Sequence, residues 1–218
     1  MGLGLLFIGY FAASIGFMSV LRMLGYMLMT YSAKKLGQYN TSFKLFEIAG
    51  GVMVLASFVS TVMDLLTMLM GEGFIDTSVI VLIRNIEILL SCACALVMLW
   101  SIRNIARDTD EKKLSFAAVR NSVFVIIYAV AYVVSLLPFE FTKYLSLPLL
   151  LVQFVWIIFN LVLIFSCYAR ICDESDVNME RKPSRFAFVN EMRAQNEARQ
   201  KEKEEKWAER ANQRKKRK

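Results

Sequence analysis

IAGGVMVLASFVSTVMDLLTMLM (residues 48–70) and SVIVLIRNIEILLSCACALVMLWS (residues 78–101) are two apolar runs separated only by GEGFIDT (residues 71–77). Each exceeds the roughly 20 residues that an α-helix needs to cross a bilayer. A surface helix of a soluble domain sets an apolar stripe against a polar face. These two runs have no polar face. The short connector, with Gly71 and Gly73, leaves them no arrangement but antiparallel. They are read as a hairpin that crosses a membrane twice.

The rest of the chain follows the same pattern outward from this hairpin. Of its 218 residues, 56% are hydrophobic, and the mean hydropathy is positive. Further apolar runs cover about residues 3–21, 116–137 and 145–169. Pro138 ends the fourth run, and Pro148 falls in the first turn of the fifth, where a missing amide hydrogen costs nothing. The expectation is an all-α integral membrane protein with five transmembrane helices in residues 1–170. In the first span, Gly9 and Ala13, with Ala12 and Gly16, provide small residues for close helix packing. Helical character is expected to continue past Arg22, through Gly25, Met29 and Ser32 to near Gly37. Arg22 would then lie at the inner interface and snorkel toward lipid headgroups.

Lysine and arginine set the orientation. Lys34, Lys35 and Lys44 fall in the first connector, and Arg103, Arg107, Lys112 and Lys113 in the third. The second connector has Glu72 and Asp76 instead, and the fourth only Lys143. Five spans with basic alternate connectors place the N-terminus outside, the C-terminus in the cytoplasm and the chain in the cell membrane.

Residues 171–218 change composition completely. After an acidic linker and Pro183, residues 185–213 have helix-forming composition, with acid-before-base pairs such as Glu197–Lys201 and Glu202–Lys206. This charged cytoplasmic helix ends in Arg214, Lys215, Lys216, Arg217 and Lys218. Those five residues are candidates for contact with anionic lipid or with a cytoplasmic protein. No aromatic arrangement for base stacking accompanies them, which argues against nucleic acid as a partner. Oligomeric state leaves no signature.

The sequence contains no histidine, so the commonest general base and metal ligand are missing. Cys92, Cys94, Cys167 and Cys172 form no C-x-x-C pair and read as packed, reduced thiols. No phosphate loop, dinucleotide fingerprint or nucleophile elbow occurs. A non-enzymatic chain without metal or cofactor is expected.

The informative residues are the polar ones inside the apolar runs. Asp64 and Arg84 are both ten positions from Phe74, the centre of the connector, so a hairpin sets them at equal depth. Each lies about six residues from the outer end of its run, which at 1.5 Å per residue is roughly 10 Å below the outer interface. Glu87 follows Arg84 at i+3 on the same face. Gln153 and Tyr10 lie near this level, with Asn160 two turns beyond Gln153. A polar pocket is expected from Tyr10, Asp64, Arg84, Glu87 and Gln153. Its alternative is an ion-pair staple between the second and third helices. Two acids and one base give the cluster a formal charge of −1, a reason to consider function.

GLLFIGYF (residues 4–11), RMLGY (residues 22–26) and KLGQYN (residues 35–40) resemble the start of small multi-pass membrane proteins of unassigned function in Gram-positive bacteria. That resemblance implies no activity. The five-span topology, basic tail and intramembrane arginine are also similar to the membrane-protein insertase family. Its long charged hairpin after the first span has no counterpart in residues 32–47, and its arginine belongs to the first span rather than the third. The leading expectation is an accessory or anchoring component that presents its basic tail to a cytoplasmic partner or lipid. A small-solute or ion transporter using Asp64, Arg84 and Glu87 is the alternative. An insertase-like role, by topology only, is third.

Overall fold

The computed structural model describes residues 2–15, 19–71, 76–138 and 145–171. Every regular element among them is an α-helix: α1 (Gly2–Ile15), α2 (Ser19–Leu36), α3 (Ser42–Met70), α4 (Thr77–Asp108), α5 (Lys112–Ser135) and α6 (Ser146–Arg170). The chain divides into two compact units, Met1–Asp173 and Glu174–Lys218. The second unit, with the expected tail helix and Arg214–Lys218, lies outside the described residues, as does Cys172.

Four helices, α3 to α6, are long and apolar enough to cross a membrane, and α1 is a shorter apolar helix. Their outward faces are apolar, with Met68 85%, Phe116 72% and Leu55 68% exposed. Isolated exposed leucines are ordinary, but an apolar surface on every long helix is not that of a soluble monomer. Each helix packs on its neighbours in sequence, and α6 packs on α1, so the six form a ring.

Local signals set the boundaries of the long helices. The Asp76 carboxylate accepts from the Ser78 amide at 3.0 Å and caps α4. Gly71, at φ +88°, ends α3 in a backbone conformation that suits glycine. Before α3, the Asn40 side chain accepts from the Ser42 amide at 2.8 Å and donates to Asp108 at 2.6 Å. That pair ties the entry of α3 to the exit of α4. At the same end, Ser101 Oγ donates to the Ser42 carbonyl at 3.0 Å.

The expectation of one continuous first helix is corrected. α1 stops at Ile15, α2 begins at Ser19, and the two pack as an antiparallel hairpin. A Cβ on Gly2 would meet Leu36, while one on Gly9 would meet the Met29 amide nitrogen at 2.8 Å. A Cβ on Gly25 would lie 2.4 Å from the Ala13 nitrogen. The small residues Gly9 and Ala13 therefore do serve close packing, but against Gly25 of their own hairpin. Ser32 Oγ adds a hydrogen bond to the Gly2 carbonyl at 2.6 Å.

The hairpin changes the topology. Gly2 lies beside Leu36, and Gly4 beside Tyr168 near the end of α6. The start of α1 and the end of α6 thus share one end of the ring, together with Lys34, Lys35, Arg103, Arg107 and Lys112. The five-span expectation put the two ends of the helical region apart, whereas here the start of α1 and the end of α6 lie at the same end of the ring. At 1.5 Å per residue, α1 is about 21 Å long, against about 43 Å for α3. A helix of that length falls short of a hydrocarbon core of about 30 Å. The hairpin fills the basic end of the ring and stops partway along it.

Candidate functional site

The turn end of the hairpin carries Arg22, and this placement makes the site. Arg22 is not at the inner interface, as expected of a helix running on from residue 3. It lies in the first turn of α2, opposite the middle of α4, with its Nη1 3.5 Å from Glu87 Oε2. Glu87 is only 3% exposed. Ser60 Oγ donates to its Oε2 at 2.8 Å and Ser57 Oγ to its Oε1 at 3.2 Å. Three helices therefore converge on one carboxylate: α2 with a cation, α3 with two hydroxyls, α4 with the acid itself. A charge taken out of water demands such partners.

Asp64 and Arg84 do pair, at 3.3 Å. Their side chains are 40% and 63% exposed, on the outer face of the α3–α4 hairpin rather than inside the ring. The equal depth read from the connector gave that contact. The extension to Glu87 does not hold. Residues at i and i+3 are about 60° apart around a helix axis, and here that angle separates the outer face of α4 from its inner face. The expected three-residue cluster is thus two separate neutral pairs, Arg22–Glu87 and Arg84–Asp64, and its charge of −1 disappears.

Beside the Arg22–Glu87 pair lies a cavity of about 180 Å³ between α1, α2, α4 and α6. Of the five residues expected to form a pocket, Tyr10, Glu87 and Gln153 line it; Asp64 and Arg84 do not. Helical spacing aligns its walls: Arg22, Tyr26 and Met29 on α2; Glu87, Ser91 and Cys94 on α4; Gln153, Trp156 and Ile157 on α6. Toward the basic end, Met98, Leu99 and Ile102, with Phe43 and Phe46, are fully buried and pack solidly. Arg22 keeps 31% of its side chain exposed, and Gln153 is exposed.

Two hydrogen-bond donors at the cavity have no partner among the described residues. They are Arg22 Nε and Trp156 Nε1, both buried atoms. Buried polar groups are nearly always paired; these two exceptions belong to side chains on different walls of the cavity, α2 and α6. About one turn along α6 from Trp156, the polar groups are paired in a chain. Asn121 Nδ2 donates to Asn160 Oδ1 at 3.1 Å, and Asn160 Nδ2 to the Tyr10 hydroxyl at 3.0 Å. Both asparagines are fully buried. Tyr128 and Tyr132 donate from α5 to Gln153 at 3.4 Å and to Asn85 at 2.8 Å.

Sequence reading missed Arg22, Ser57, Ser60 and Trp156 as site residues. One signal was present for the first: Gly9 and Gly25 are each eight positions from Phe17, the symmetry of a hairpin packed through glycines. Cys92, Cys94 and Cys167 are buried and free, and no cluster of metal-ligating side chains occurs among the described residues. Comparison with protein-family models, curated proteins and solved structures finds no match to this chain.

Proposed function

We propose that the protein is a membrane-embedded carrier that binds a small polar solute in the cavity beside Arg22 and Glu87. The observation that supports it is the pair of buried, unpartnered donors, Arg22 Nε and Trp156 Nε1, on the wall of that cavity. A structural staple needs Glu87 satisfied, and Ser57, Ser60 and Arg22 accomplish that. A staple does not need a cavity, nor donors facing nothing. The cavity volume suits a solute of a few heavy atoms, or about six water molecules at roughly 30 Å³ each. In this reading the basic end is cytoplasmic. The solute enters from the other side, and the packed layer of Leu99, Ile102, Phe43 and Phe46 separates it from the cytoplasm. The accessory or anchoring role takes second place because its support, the charge of Arg214–Lys218, lies outside the described residues.

Water access to the cavity tests this. Cys94 lines it and serves as the probe once Cys92, Cys167 and Cys172 are replaced by alanine. A small water-soluble methanethiosulfonate added to vesicles should label Cys94 from the non-basic side, and Trp156→Ala should accelerate labelling by widening the route. A Cys94 that reacts only with lipid-soluble reagents would leave the pair a staple.

A further inference from the structure

Two residues that line the cavity carry donors without partners, and these bear on what it takes. Arg22 uses Nη1 for Glu87, which leaves Nε–H on a different edge of the guanidinium. A guanidinium edge is suited to a carboxylate, which it meets with parallel N–H···O bonds. Trp156 Nε1 can only donate, and Trp156 is 94% buried by its 6% exposure. Both unmet needs are for an acceptor; neither can be met by a cation.

Charge supplies the second half. Arg22 and Glu87 together form a neutral pair. An anion placed against Arg22 leaves one net negative charge in a poorly hydrated cavity, a costly state. One proton on Glu87 restores neutrality. Among the described residues no other group facing Glu87 can do this. Arg22 and Tyr26 on α2 and Tyr10 on α1 enter the site already protonated, as does Cys94 on its own helix. The α3 face offers only the Ser57 and Ser60 hydroxyls, α6 offers Gln153 and Trp156, and the α5 tyrosines are engaged with Gln153 and Asn85. Asp64 is held away on the outer face by Arg84.

We propose that the cavity takes a small carboxylate-type monoanion, held by Arg22 and Trp156, together with one proton taken up at Glu87. The proton comes from solvent and forms an O–H bond on the carboxylate; Arg22 then transfers its ion pairing from Glu87 to the ligand. This inference rests on the cavity being the solute site proposed above.

The test uses the full chain in lipid nanodiscs with Trp100→Phe and Trp207→Phe, so that Trp156 is the sole tryptophan. Acetate is titrated against chloride, which carries no carboxylate, at constant ionic strength. The pH runs from about 6 to about 8, where a carboxylic acid of ordinary strength stays ionised. Acetate should shift Trp156 emission saturably, and its affinity should rise on acidification, approaching tenfold per pH unit for one coupled proton. Glu87→Gln keeps an oxygen for Ser57 or Ser60 and should bind acetate with no pH slope. Arg22→Lys, which keeps the charge but loses the guanidinium edge, should weaken binding at least tenfold. A folded chain whose Trp156 ignores acetate, or responds without saturating, overturns the anion assignment, and the cavity then holds water only. An unchanged pH slope in Glu87→Gln overturns the proton assignment. Cys94 labelling in the same preparation separates the two levels. A water-reachable Cys94 with no acetate response sinks this inference alone, whereas an unreachable Cys94 sinks the solute site as well.

Discussion

Two arginines in this chain face acids inside apolar helices, and the structure ranks them in an order opposite to the one their sequence positions suggest. Arg84→Leu removes the partner of Asp64, whose side chain is 40% exposed, and Arg84 itself is 63% exposed. Exposed pairs contribute about 0–1 kcal/mol, and a half-exposed carboxylate can be resolvated or protonated when its partner goes. Arg22→Leu strands Glu87, 3% exposed, and breaking a buried pair by removing one member costs about 3–5 kcal/mol. The Ser60 and Ser57 hydroxyls remain on the carboxylate, so the expected loss is at the lower end, about 3 kcal/mol. The gap of about 2 kcal/mol is roughly thirtyfold in an unfolding equilibrium, since 1.36 kcal/mol is a factor of ten. Reversible unfolding in mixed micelles, driven by sodium dodecyl sulfate, resolves that difference. Arg22→Leu combined with Glu87→Leu should recover much of the loss, because apolar residues replace both charges. A double-mutant cycle should then show coupling between Arg22 and Glu87 and little between Arg22 and Asp64. If Arg84→Leu proves as damaging as Arg22→Leu, or if the Arg22 and Glu87 losses simply add, the buried pair is not where the structure puts it.

Gly25→Ala should destabilise the fold by well over 1 kcal/mol, since its Cβ would lie 2.4 Å from the Ala13 backbone nitrogen; the same unfolding assay reads it. Gly51→Ala is the internal control, with nothing within 4 Å, and should be neutral or stabilising by up to about 1 kcal/mol. Asn160→Leu should cost about 1 kcal/mol, in the range measured for hydrogen bonds between membrane helices. It leaves Asn121 and Tyr10 without their partner, so the Asn121→Leu and Asn160→Leu double variant should cost less than the two single losses together. Reporter fusions before Gly2 and after Ile171 should score on the same side of the membrane; opposite sides would restore five spans and dissolve the α1–α2 hairpin.

The long helices were legible because their ends are chemically marked. Gly71 and Asp76 bracket the α3–α4 connector, Pro138 follows α5, and the apolar runs predicted from 48, 78, 116 and 145 differ from α3 to α6 mainly by extra polar turns at the basic end. The α1–α2 hairpin was not legible for the opposite reason. Its reversal falls within an apolar run, with no charge between Leu3 and Leu21, so hydropathy reads one helix where packing makes two. Only the spacing of Gly9 and Gly25 about Phe17 carries the information, and it carries it as a tertiary contact between backbones.

That one misread segment accounts for most of what was missed at the site. A helix running unbroken from residue 3 puts Arg22 at the opposite end from Glu87, and depth arithmetic then assigns Glu87 to the nearest remaining base, Arg84. Once the hairpin returns Arg22 to the level of Glu87, each acid has its own cation. The surplus negative charge that had made the cluster look functional is gone. What replaces it is a different kind of evidence. A buried ion pair with two serines on its acid is explained by stability alone. An unpaired Arg22 Nε and an unpaired Trp156 Nε1 beside 180 Å³ of space are not, because neither donor holds Glu87 and a buried N–H without an acceptor costs stability. Unpaired donors of this kind have no linear signature: a tryptophan at position 156 of an apolar helix reads as one more core aromatic. The case for a solute therefore rests on two donors with nothing to donate to, and it stands or falls with what Trp156 meets in solution.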